Sequence, residues 1–348
     1  MAGLLFLTGL LFLSGCAPKD ESGDEIHIIL TNGEREGELF SIDDICTYTP
    51  EGGLYLCSMQ NLYQGVYGEQ IWQHDTGDTN LEGRLKDMAI NRLVRIKTMS
   101  LLAADRGITL SDRQEEMARQ ATDRYYDCLS PSAREEIGID KDTVLSCYKD
   151  LILADEVYRQ IIEETEPEIS DDEARTVTVS QILLRTDNRS SDSATEGGDT
   201  EDKNEVYQRA LGLLTKLNQG EDFEQLAATT NEADRITISF GKGEVDQSLE
   251  EAAFSLGEGE LSRVIETPEG YVILKCVQSF DREQTDLRKT QIARVRKEEA
   301  FTKIYEEFAD SRTSRFDSEI WDKVHISRDC GADSENFFTV YEQISGKK

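Results

Sequence analysis

The spacing of apolar residues changes twice along this chain, and this change constrains the fold more than any other feature. Leu85, Leu93 and Ile96 belong to a stripe with mostly three- and four-residue steps, the period of an amphipathic helix. From Val177 to Leu184, β-branched and apolar residues alternate instead, as in a strand. The helical period returns after Phe280. The pattern predicts an α+β chain in which a sheet-forming unit interrupts a mainly helical one.

The first helical region is expected to begin near Tyr55. Gly107 ends its first long helix, and Ser111 with Gln114 forms a capping box for the next. The stretch "LSPSAREEIGID" breaks that second helix. A further helix is expected from about Lys141 to Glu164. The apolar stripes of these helices are interpreted as core.

Shorter elements flank the helices. Asn32-Gly33 lies between two apolar runs, which is a hairpin signal, so a β-like patch is expected before the helices. After Phe280, a long charged helix carries one apolar stripe made of Phe301, Ile304, Tyr305 and Phe308. A final strand is expected near Lys323–Ile326. The segment 281–348 is too small to fold alone, so it is predicted to pack on the N-terminal helical region.

The middle of the chain predicts a compact unit at 167–280. Pro167 marks its start, and Ser170 with Glu173 caps a short helical turn. The elements follow in the order β-α-α-β-α-β-β, with the later ones near 205–218, 222–229, 235–241, 249–256, 264–267 and 271–277. Residues 186–204 are acidic and of low complexity, and they are predicted to be disordered.

The charge balance excludes several classes of partner. Asp and Glu number 70 against 38 Lys and Arg, a formal net charge of -32. Nucleic acid and anionic lipid surfaces both attract clustered Lys and Arg, so neither is an expected partner of the folded chain. Most of the carboxylates are interpreted as lying on solvated helix faces. High net charge of one sign favours solubility.

Neither a metal nor a cofactor is expected. The histidines His27, His74 and His325 are scattered, and no two cysteines form a CxxC pair. Cys46 and Cys57 flank the turn-like "TPEGG", and a disulfide between them is one alternative outside the cell. Separate reduced thiols are the expected state.

The N-terminus resembles a bacterial lipoprotein signal. Residues 1–15 contain an apolar run too short to span a bilayer but as long as a signal-peptide core, and Leu-Ser-Gly-Cys ends it at Cys16. No Lys or Arg precedes the run, which departs from that pattern. The resemblance implies cleavage before Cys16, acylation of its thiol, a tether at 17–25 and anchoring to the outer face of the cell membrane. An ordinary secretory signal with a chance cysteine is the alternative.

Segment 176–279 resembles a parvulin-type peptidyl-prolyl isomerase domain. The resemblance is carried by "VSQILL", "GEDFEQLA", "FGKGEV", "LEEAAFSLGEGELS" and "VIETPEGYVILKC". With "VYGEQIW", "LLAADRGITLSD" and "EISDDEAR", the whole chain is similar to PrsA-type foldase lipoproteins and SurA-type chaperones. This implies a mainly helical chaperone region at 26–166, an inserted parvulin-like domain at 167–280, and a C-terminal segment at 281–348 that packs back on the first region.

The resemblance also identifies candidate catalytic positions, which here are degenerate. Gln181 and Val272 stand where parvulins usually carry histidines. The central polar group of the family falls on Ala233 or on its neighbour Asp234. Gln181 and Asp234 are therefore the candidate catalytic residues. Because an amide side chain both donates and accepts hydrogen bonds, the default expectation for Gln181 is a structural role.

The implied proline pocket keeps its apolar character. Phe240 stands at a family aromatic position, Val245 replaces a usual Met and Leu249 a usual Phe, and Val272 joins them. Prolyl isomerisation rotates an amide through a barrier of about 18–20 kcal/mol, helped by a dry pocket and by groups that favour the twisted amide. Since histidines, central polar group and pocket bulk have all changed, isomerase activity is predicted to be weak or lost.

Two functions from different classes follow. The first is an extracytoplasmic foldase with weak isomerase activity on unfolded exported polypeptides; a phosphopeptide-specific form is excluded, since Arg185 and Arg189 lie among acids. The second is a non-catalytic holdase whose helical region binds apolar segments, with Tyr63, Tyr67 and Trp72 as groove candidates and burial in the core as their commoner fate. In either case a homodimer is left open.

Overall fold

The structure, a computed structural model, describes residues 37–68, 71, 81–186, 203–325 and 335–346. The lipobox at Cys16, the tether, Asn32-Gly33, Trp72 and most of the acidic segment 186–204 lie outside these residues. The chain divides into two compact units. The first unit combines Met1–Glu164 with Ala300–Lys348, and the second is Thr165–Glu299. Among the described helices, none combines the length and apolarity needed to cross a membrane.

The elements are numbered along the chain. The helices are α1 Thr49–Tyr67, α2 Leu81–Asp105, α3 Asp112–Cys128, α4 Pro131–Ile137, α5 Lys141–Glu164, α6 Asp171–Ala174, α7 Lys203–Asn218, α8 Phe223–Thr230, α9 Gln247–Ser255, α10 Arg282–Asp310, α11 Ser318–Asp322 and α12 Phe337–Ser345. The strands are β1 Glu38–Ile42, β2 Ile45–Tyr48, β3 Thr176–Arg185, β4 Thr237–Gly241, β5 Ile265–Thr267, β6 Gly270–Gln278 and β7 Ser314–Phe316.

Local capping sets the helix boundaries of the first unit. The predicted capping box at the start of α3 is confirmed, because the Gln114 amide donates to Ser111 Oγ at 3.4 Å and the Ser111 amide donates to Gln114 Oε1 at 2.9 Å. The start of α1 near Tyr55 was wrong. This helix begins at Thr49, since proline fits its first turn and Glu51 Oε1 accepts from the Tyr48 amide at 3.3 Å. The helix-breaking stretch after α3 itself contains the short α4.

A three-stranded antiparallel sheet in the order β2-β1-β7 accompanies these helices. Its hairpin turns at Asp43, which has φ 50° and whose amide donates to the Thr313 carbonyl at 2.7 Å. The strand expected near Lys323–Ile326 was wrong for residues 323–325, which are not in a strand. Asp317 accepts from the Ile320 amide at 3.0 Å and starts α11, and the Val324 amide donates to the Trp321 carbonyl at 3.0 Å, which continues the turn past the end of this helix.

The core of the first unit is aromatic at its centre and includes the C-terminal segment. Phe337 of α12 stacks on Tyr148 of α5, with ring centroids 4.1 Å apart, and lies 5.6 Å from the rings of both Tyr55 and Tyr125. Phe301, on the predicted stripe of α10, is fully buried. Residues from both ends of the chain therefore share one core.

The second unit is a four-stranded antiparallel sheet in the order β4-β3-β6-β5. One face packs against α7 and α8, and the other packs against α9. The predicted element order β-α-α-β-α-β-β is confirmed. Gly270 opens β6 with φ 149°, where an added Cβ would overlap the Leu184 carbonyl oxygen and lie 2.8 Å from Arg185 Cα. The β5–β6 turn therefore requires glycine.

The second unit extends beyond the expected boundary at 280 to Glu299, so it includes the first part of α10. Basic side chains on this part of the helix form ion pairs with acids elsewhere in the same unit: Arg288 with Glu244, Lys289 with Asp171, and Arg296 with Glu173. These contacts give the start of α10 its place in the second unit.

Candidate active site

Strand alternation places Gln181 on the sheet face that packs against α9. Val177, Val179 and Leu183 of β3 share this face and are buried, and Leu274 of β6 faces it as well. Gln181 is half-buried. It is thus a polar residue in an otherwise apolar row of β3.

The four predicted proline-pocket residues lie in one apolar group, the site cluster, made of Phe240, Val245, Leu249 and Val272 with Val177, Val179, Leu183 and Leu274. Phe240 is 4% exposed, Leu249 8% and Val272 3%, while Val245 is partly buried against them. Because these side chains bury one another, little apolar surface is left open for a proline ring. The cluster resembles a filled core more than an open pocket.

Gln181 is held by the backbone of the loop at 231–236. Its amide N–H donates to the Ile236 carbonyl at 2.7 Å, and its side-chain Nε2 donates to the Arg235 carbonyl at 3.0 Å. Both bonds join β3 to this loop. These bonds give Gln181 a structural role that does not depend on substrate.

Asn231 fastens the same loop, and sequence reasoning missed it. Its Oδ1 accepts from the amides of Leu183 at 2.9 Å and Ala233 at 3.2 Å, while Nδ2 donates to the Ala233 carbonyl at 3.0 Å. The next residue reinforces the contact, because the Glu232 amide donates to the Leu183 carbonyl at 2.9 Å. The available signal was the tendency of Asn to form turns with its own backbone after a helix end.

The loop brings Ala233 to the site cluster and leaves Asp234 outside it. Ala233 packs against the cluster, whereas the Asp234 side chain is exposed. Of the two alternatives for the central polar position, the one that meets the cluster carries only a methyl group. The structure therefore does not bring Gln181 and Asp234 together on the cluster.

Cys276 of β6 belongs to the cluster, and burial raises the pKa of its thiol, so the group stays protonated near neutral pH. Arg185, at the end of β3, donates from Nε to the Glu232 carbonyl at 3.2 Å and pairs with Glu269 at 3.4 Å. Its guanidinium is engaged with the protein itself, while Arg189 lies outside the described residues.

The groove candidates of the first unit have different environments. Tyr63 is partly buried against the core, with its ring 6.2 Å from that of Tyr67. Tyr67 is 66% exposed and Val66 67% exposed at the end of α1. Cys46 and Cys57 are both free thiols. Within the described part of the chain, no group of three His, Cys, Asp or Glu side chains could hold a metal ion.

Comparisons with known proteins agree with this architecture. The family model described as Rotamase, a PPIC-type PPIASE domain, matches residues 182–278. Foldase protein PrsA from Caldanaerobacter subterraneus subsp. tengcongensis is 24% identical over 339 residues, covering 92% of this chain and 96% of that protein. Foldase protein PrsA from Clostridium botulinum strain Langeland is 22% identical over 279 residues, covering 70% and 76%.

A solved structure is also similar. The crystal structure of peptidylprolyl isomerase PrsA from Bacillus cereus shares 17% identity and a TM-score of 0.35, over 76% of this chain and 92% of the other. The family match begins within β3, includes α7–α9, β4 and β5, and ends with β6 of the second unit, and the PrsA relatives extend over both units. The whole chain is thus similar to PrsA-type foldase proteins, and its second unit matches the PPIC-type rotamase domain.

Proposed function

We propose that this protein assists the folding of exported polypeptides and that its prolyl isomerase activity is weak or absent. The composition of the site cluster supports weak or absent isomerase activity. Ala233 and Val272 present apolar groups there, and one side-chain N–H of Gln181 is bonded to the Arg235 carbonyl.

The physical reason lies in what amide rotation requires. The twisted amide loses the resonance that stabilises the planar form, so a catalyst must stabilise the twisted form by polar contacts or exclude water around it. Each tenfold acceleration requires about 1.4 kcal/mol of such preferential stabilisation. A cluster of aliphatic groups offers little of it. A filled cluster also leaves little room for proline.

A place outside the cytoplasm fits the proposed clients. The PrsA relatives are named foldases, and the lipobox sequence at Cys16 would add an acyl anchor. Acylation is tested by metabolic labelling with an alkyne fatty acid in a bacterial host. Label on the wild type that disappears in Cys16→Ser supports the anchor, and equal label on both contradicts it.

The catalytic half is tested with residues 17–348 and a series of X-Pro peptides, by NMR exchange between the cis and trans forms. We expect rates within about threefold of the spontaneous ones, which take tens to hundreds of seconds. Heat-inactivated protein serves as the control. Acceleration of a hundredfold or more would contradict the proposal and show that the apolar cluster alone suffices.

The alternative is a holdase without any catalysis, and the exposed pair Val66 and Tyr67 is the observation that favours it. An exposed apolar end of a helix can cover apolar segments of an unfolded chain. The test measures light scattering of a reduced, aggregating client with and without residues 17–348. If Tyr67→Ser abolishes suppression of aggregation while the exposed-site control Lys303→Ser keeps it, the holdase surface includes this pair; suppression unchanged in Tyr67→Ser counts against it.

A further inference from the structure

The strand β2 presents an uncovered apolar edge. In the order β2-β1-β7 it is an outer strand of its sheet within the described part of the chain. Its side chains Ile45 and Tyr48 are 48% and 36% exposed. Among the three residues of β7, at the other edge, none is an exposed large apolar side chain. Because an edge strand leaves backbone donors and acceptors open, a strand added to β2 would pair these groups and cover both side chains.

An apolar segment suited to this edge lies shortly before β1 in the sequence. Residues 26–30 read Ile-His-Ile-Ile-Leu, so four of the five are apolar, and β-branched isoleucine favours strands. Between Asp20 and Glu25, by contrast, four of six residues are acidic. The segment lies outside the described residues, and its sequence identifies it as the apolar part of the chain between the lipobox and β1.

The strand β1 is not available as the partner of this segment. Asn32-Gly33 would fold the segment back onto β1 as a hairpin. However, β2 pairs with one side of β1 along Glu38–Ile42, and β7 pairs with the other side along Phe40–Ile42. The Asp317 amide also donates to the Leu39 carbonyl at 2.9 Å. A strand formed by the segment can therefore join this sheet only at an outer edge.

The place where the chain enters the sheet brings the segment within reach of β2. The Thr49 amide donates to the Gly37 carbonyl at 3.0 Å, so the chain reaches β1 beside the end of β2. Residues 32–36 span up to roughly 17 Å when extended, whereas the outer side of β2 lies two strand spacings, about 10 Å, from β1. Segment 26–31 can therefore run alongside β2 and in the same direction.

We infer that residues 26–31 add to the edge of β2 as a fourth strand of this sheet. The consequence concerns the proposed acyl anchor at Cys16. Docking leaves residues 17–25 as the free tether, which reaches about 30 Å when extended, whereas an undocked tether would continue to residue 36 and reach about 70 Å. The docked strand thus holds the first unit close to the membrane surface. The docking itself depends neither on acylation nor on the folding function, so it is tested without both.

The first test uses residues 17–348 and the half-buried free thiol of Cys46 on β2. Cysteine replaces residues 26–30 one at a time, and mass spectrometry after mild oxidation measures disulfides with Cys46. Neighbouring strands lie about 4.8 Å apart, within the Cα separation of about 4.4–6.8 Å that a disulfide needs. Because successive side chains of a strand point to opposite faces, we expect yields that alternate along 26–30 by at least about fivefold. Ser22→Cys in the tether is the control and should give a low yield.

Hydrogen exchange of residues 17–348 tests the same contact without added cysteines. Ile28→Pro removes a donor and disrupts the added strand, so 26–31 should exchange at least about tenfold faster than in the wild type, and 45–48 should also exchange faster. Ser22→Pro is the matched control, because it places the same residue in the tether, and it should leave both segments as slow as in the wild type.

A second pair of variants changes the edge instead of the segment. Ile45→Lys places a charge on the apolar edge of β2, so exchange of 26–31 should accelerate about fivefold or more. Leu287→Lys on α10 is the matched control, since Leu287 is 53% exposed against 48% for Ile45, and it should leave 26–31 unchanged.

Three outcomes would overturn the inference. Exchange of 26–31 as fast as that of 17–25 in the wild type would show that the segment does not cover the edge. Disulfides that join two chains, seen as a dimer on a non-reducing gel, would assign the β2 edge to a second copy. Protection of 45–48 only after an unfolded client is added would assign the edge to clients.

Discussion

The two units differ in how they treat buried polar groups. In the first unit, Lys97 is buried between Glu51 and Asp150 in a helical core, away from the candidate active site of the second unit. In the second unit, the cluster where catalysis would be expected is aliphatic and aromatic, and Ala233 packs against it. The buried charges described here thus belong to the structural core of the first unit, whereas the candidate active site of the second unit is apolar.

The buried charges of the first unit form a closed network. Lys97 Nζ lies 2.5 Å from Glu51 and 2.7 Å from Asp150, and Ser100 Oγ donates to Asp150 at 2.8 Å. Burial by itself would lower the pKa of Lys97, but the two carboxylates outweigh it, so the pKa is raised above its ordinary value. The Cys147 thiol contacts Glu51 at 3.8 Å. Every member has a partner, which is the condition for burying such groups.

The largest expected effect on stability therefore follows from replacing Lys97. Lys97→Met leaves Glu51 and Asp150 buried without a counter-charge, and we expect the free energy of unfolding of the first unit to fall by about 3–5 kcal/mol. Urea titration followed by tryptophan fluorescence measures it, since both tryptophans, Trp72 and Trp321, belong to the first unit.

Two controls sharpen this comparison. Lys303→Met removes an exposed lysine whose pair with Glu307 is 3.9 Å long, and it should change stability by less than about 0.5 kcal/mol. The triple variant Glu51→Gln, Lys97→Met, Asp150→Asn removes all three charges and should recover part of the loss. A loss below about 1 kcal/mol in Lys97→Met would show that the network is not a scaffold element.

In the second unit, the corresponding sensitive element is a glycine instead of a charge. Gly270→Ala places a Cβ against the Leu184 carbonyl oxygen at a φ of 149°, so we expect a loss of more than about 2 kcal/mol. Faster hydrogen exchange in β3 and β6, measured by mass spectrometry, reports it. Gly212→Ala in α7 is the matched control: an added Cβ there meets nothing within 4 Å, and the helix should gain about 0.5–1 kcal/mol. Equal exchange in the two variants would contradict the steric argument.

The aromatic core predicts how the first unit responds to alkaline pH. Burial raises the pKa of the Tyr55 and Tyr148 phenols, so the folded chain keeps these protons at a pH where the unfolded chain releases them. Stability is therefore fully present below the ordinary tyrosine pKa of about 10 and declines as the pH rises beyond it. Each such phenol contributes about 1.4 kcal/mol per pH unit to the decline.

Phenylalanine variants separate burial from hydrogen bonding. Tyr55 Oη has no hydrogen-bond partner among the described residues, so Tyr55→Phe should leave stability near pH 7 unchanged and reduce the alkaline decline. Tyr148 Oη donates to the Phe337 carbonyl at 2.9 Å, so Tyr148→Phe should cost about 1 kcal/mol at pH 7. Urea midpoints at pH 7, 9 and 11 measure both. An alkaline decline as steep in Tyr55→Phe as in the wild type would contradict the role of that phenol.

The parts of the fold that sequence reasoning predicted are those fixed by neighbouring residues. Ser111 and Gln114 are three positions apart, and the β-α-α-β-α-β-β order follows from local periodicity. The missed elements depend on distant partners. β7 exists because Ser314–Phe316 pairs with β1, far away along the chain. The apolar residues near Val324 suggested a strand, but the Val324 amide donates to the Trp321 carbonyl at the end of α11 instead.

The same distinction holds for buried polar groups. Glu51 and Asp150 lie on helices, where sequence alone favours solvated carboxylates, and only the folded core brings them to Lys97. Asn231 Oδ1 accepts from the Leu183 amide, which lies 48 positions earlier in the chain. No local sequence pattern therefore predicted its contact with β3. By contrast, the four residues predicted from a family motif do lie together in the site cluster, and their role in binding proline stays a prediction.

The smallest effect is expected at Gln181, where the comparison between the two units is most directly tested. Gln181→Ala loses one side-chain hydrogen bond to the Arg235 carbonyl but keeps the backbone bond to Ile236, so stability should fall by about 0.5–1.5 kcal/mol. Any isomerisation rate of residues 17–348 should change less than about twofold, because the Gln181 side chain is held by its hydrogen bond to the Arg235 carbonyl. Asn231→Ala, which breaks several bonds to the same loop, provides the structural reference. A clear fall in kcat/KM for Gln181→Ala with unchanged stability would show that this side chain acts on substrate, and the polar chemistry of the second unit would then not be lost.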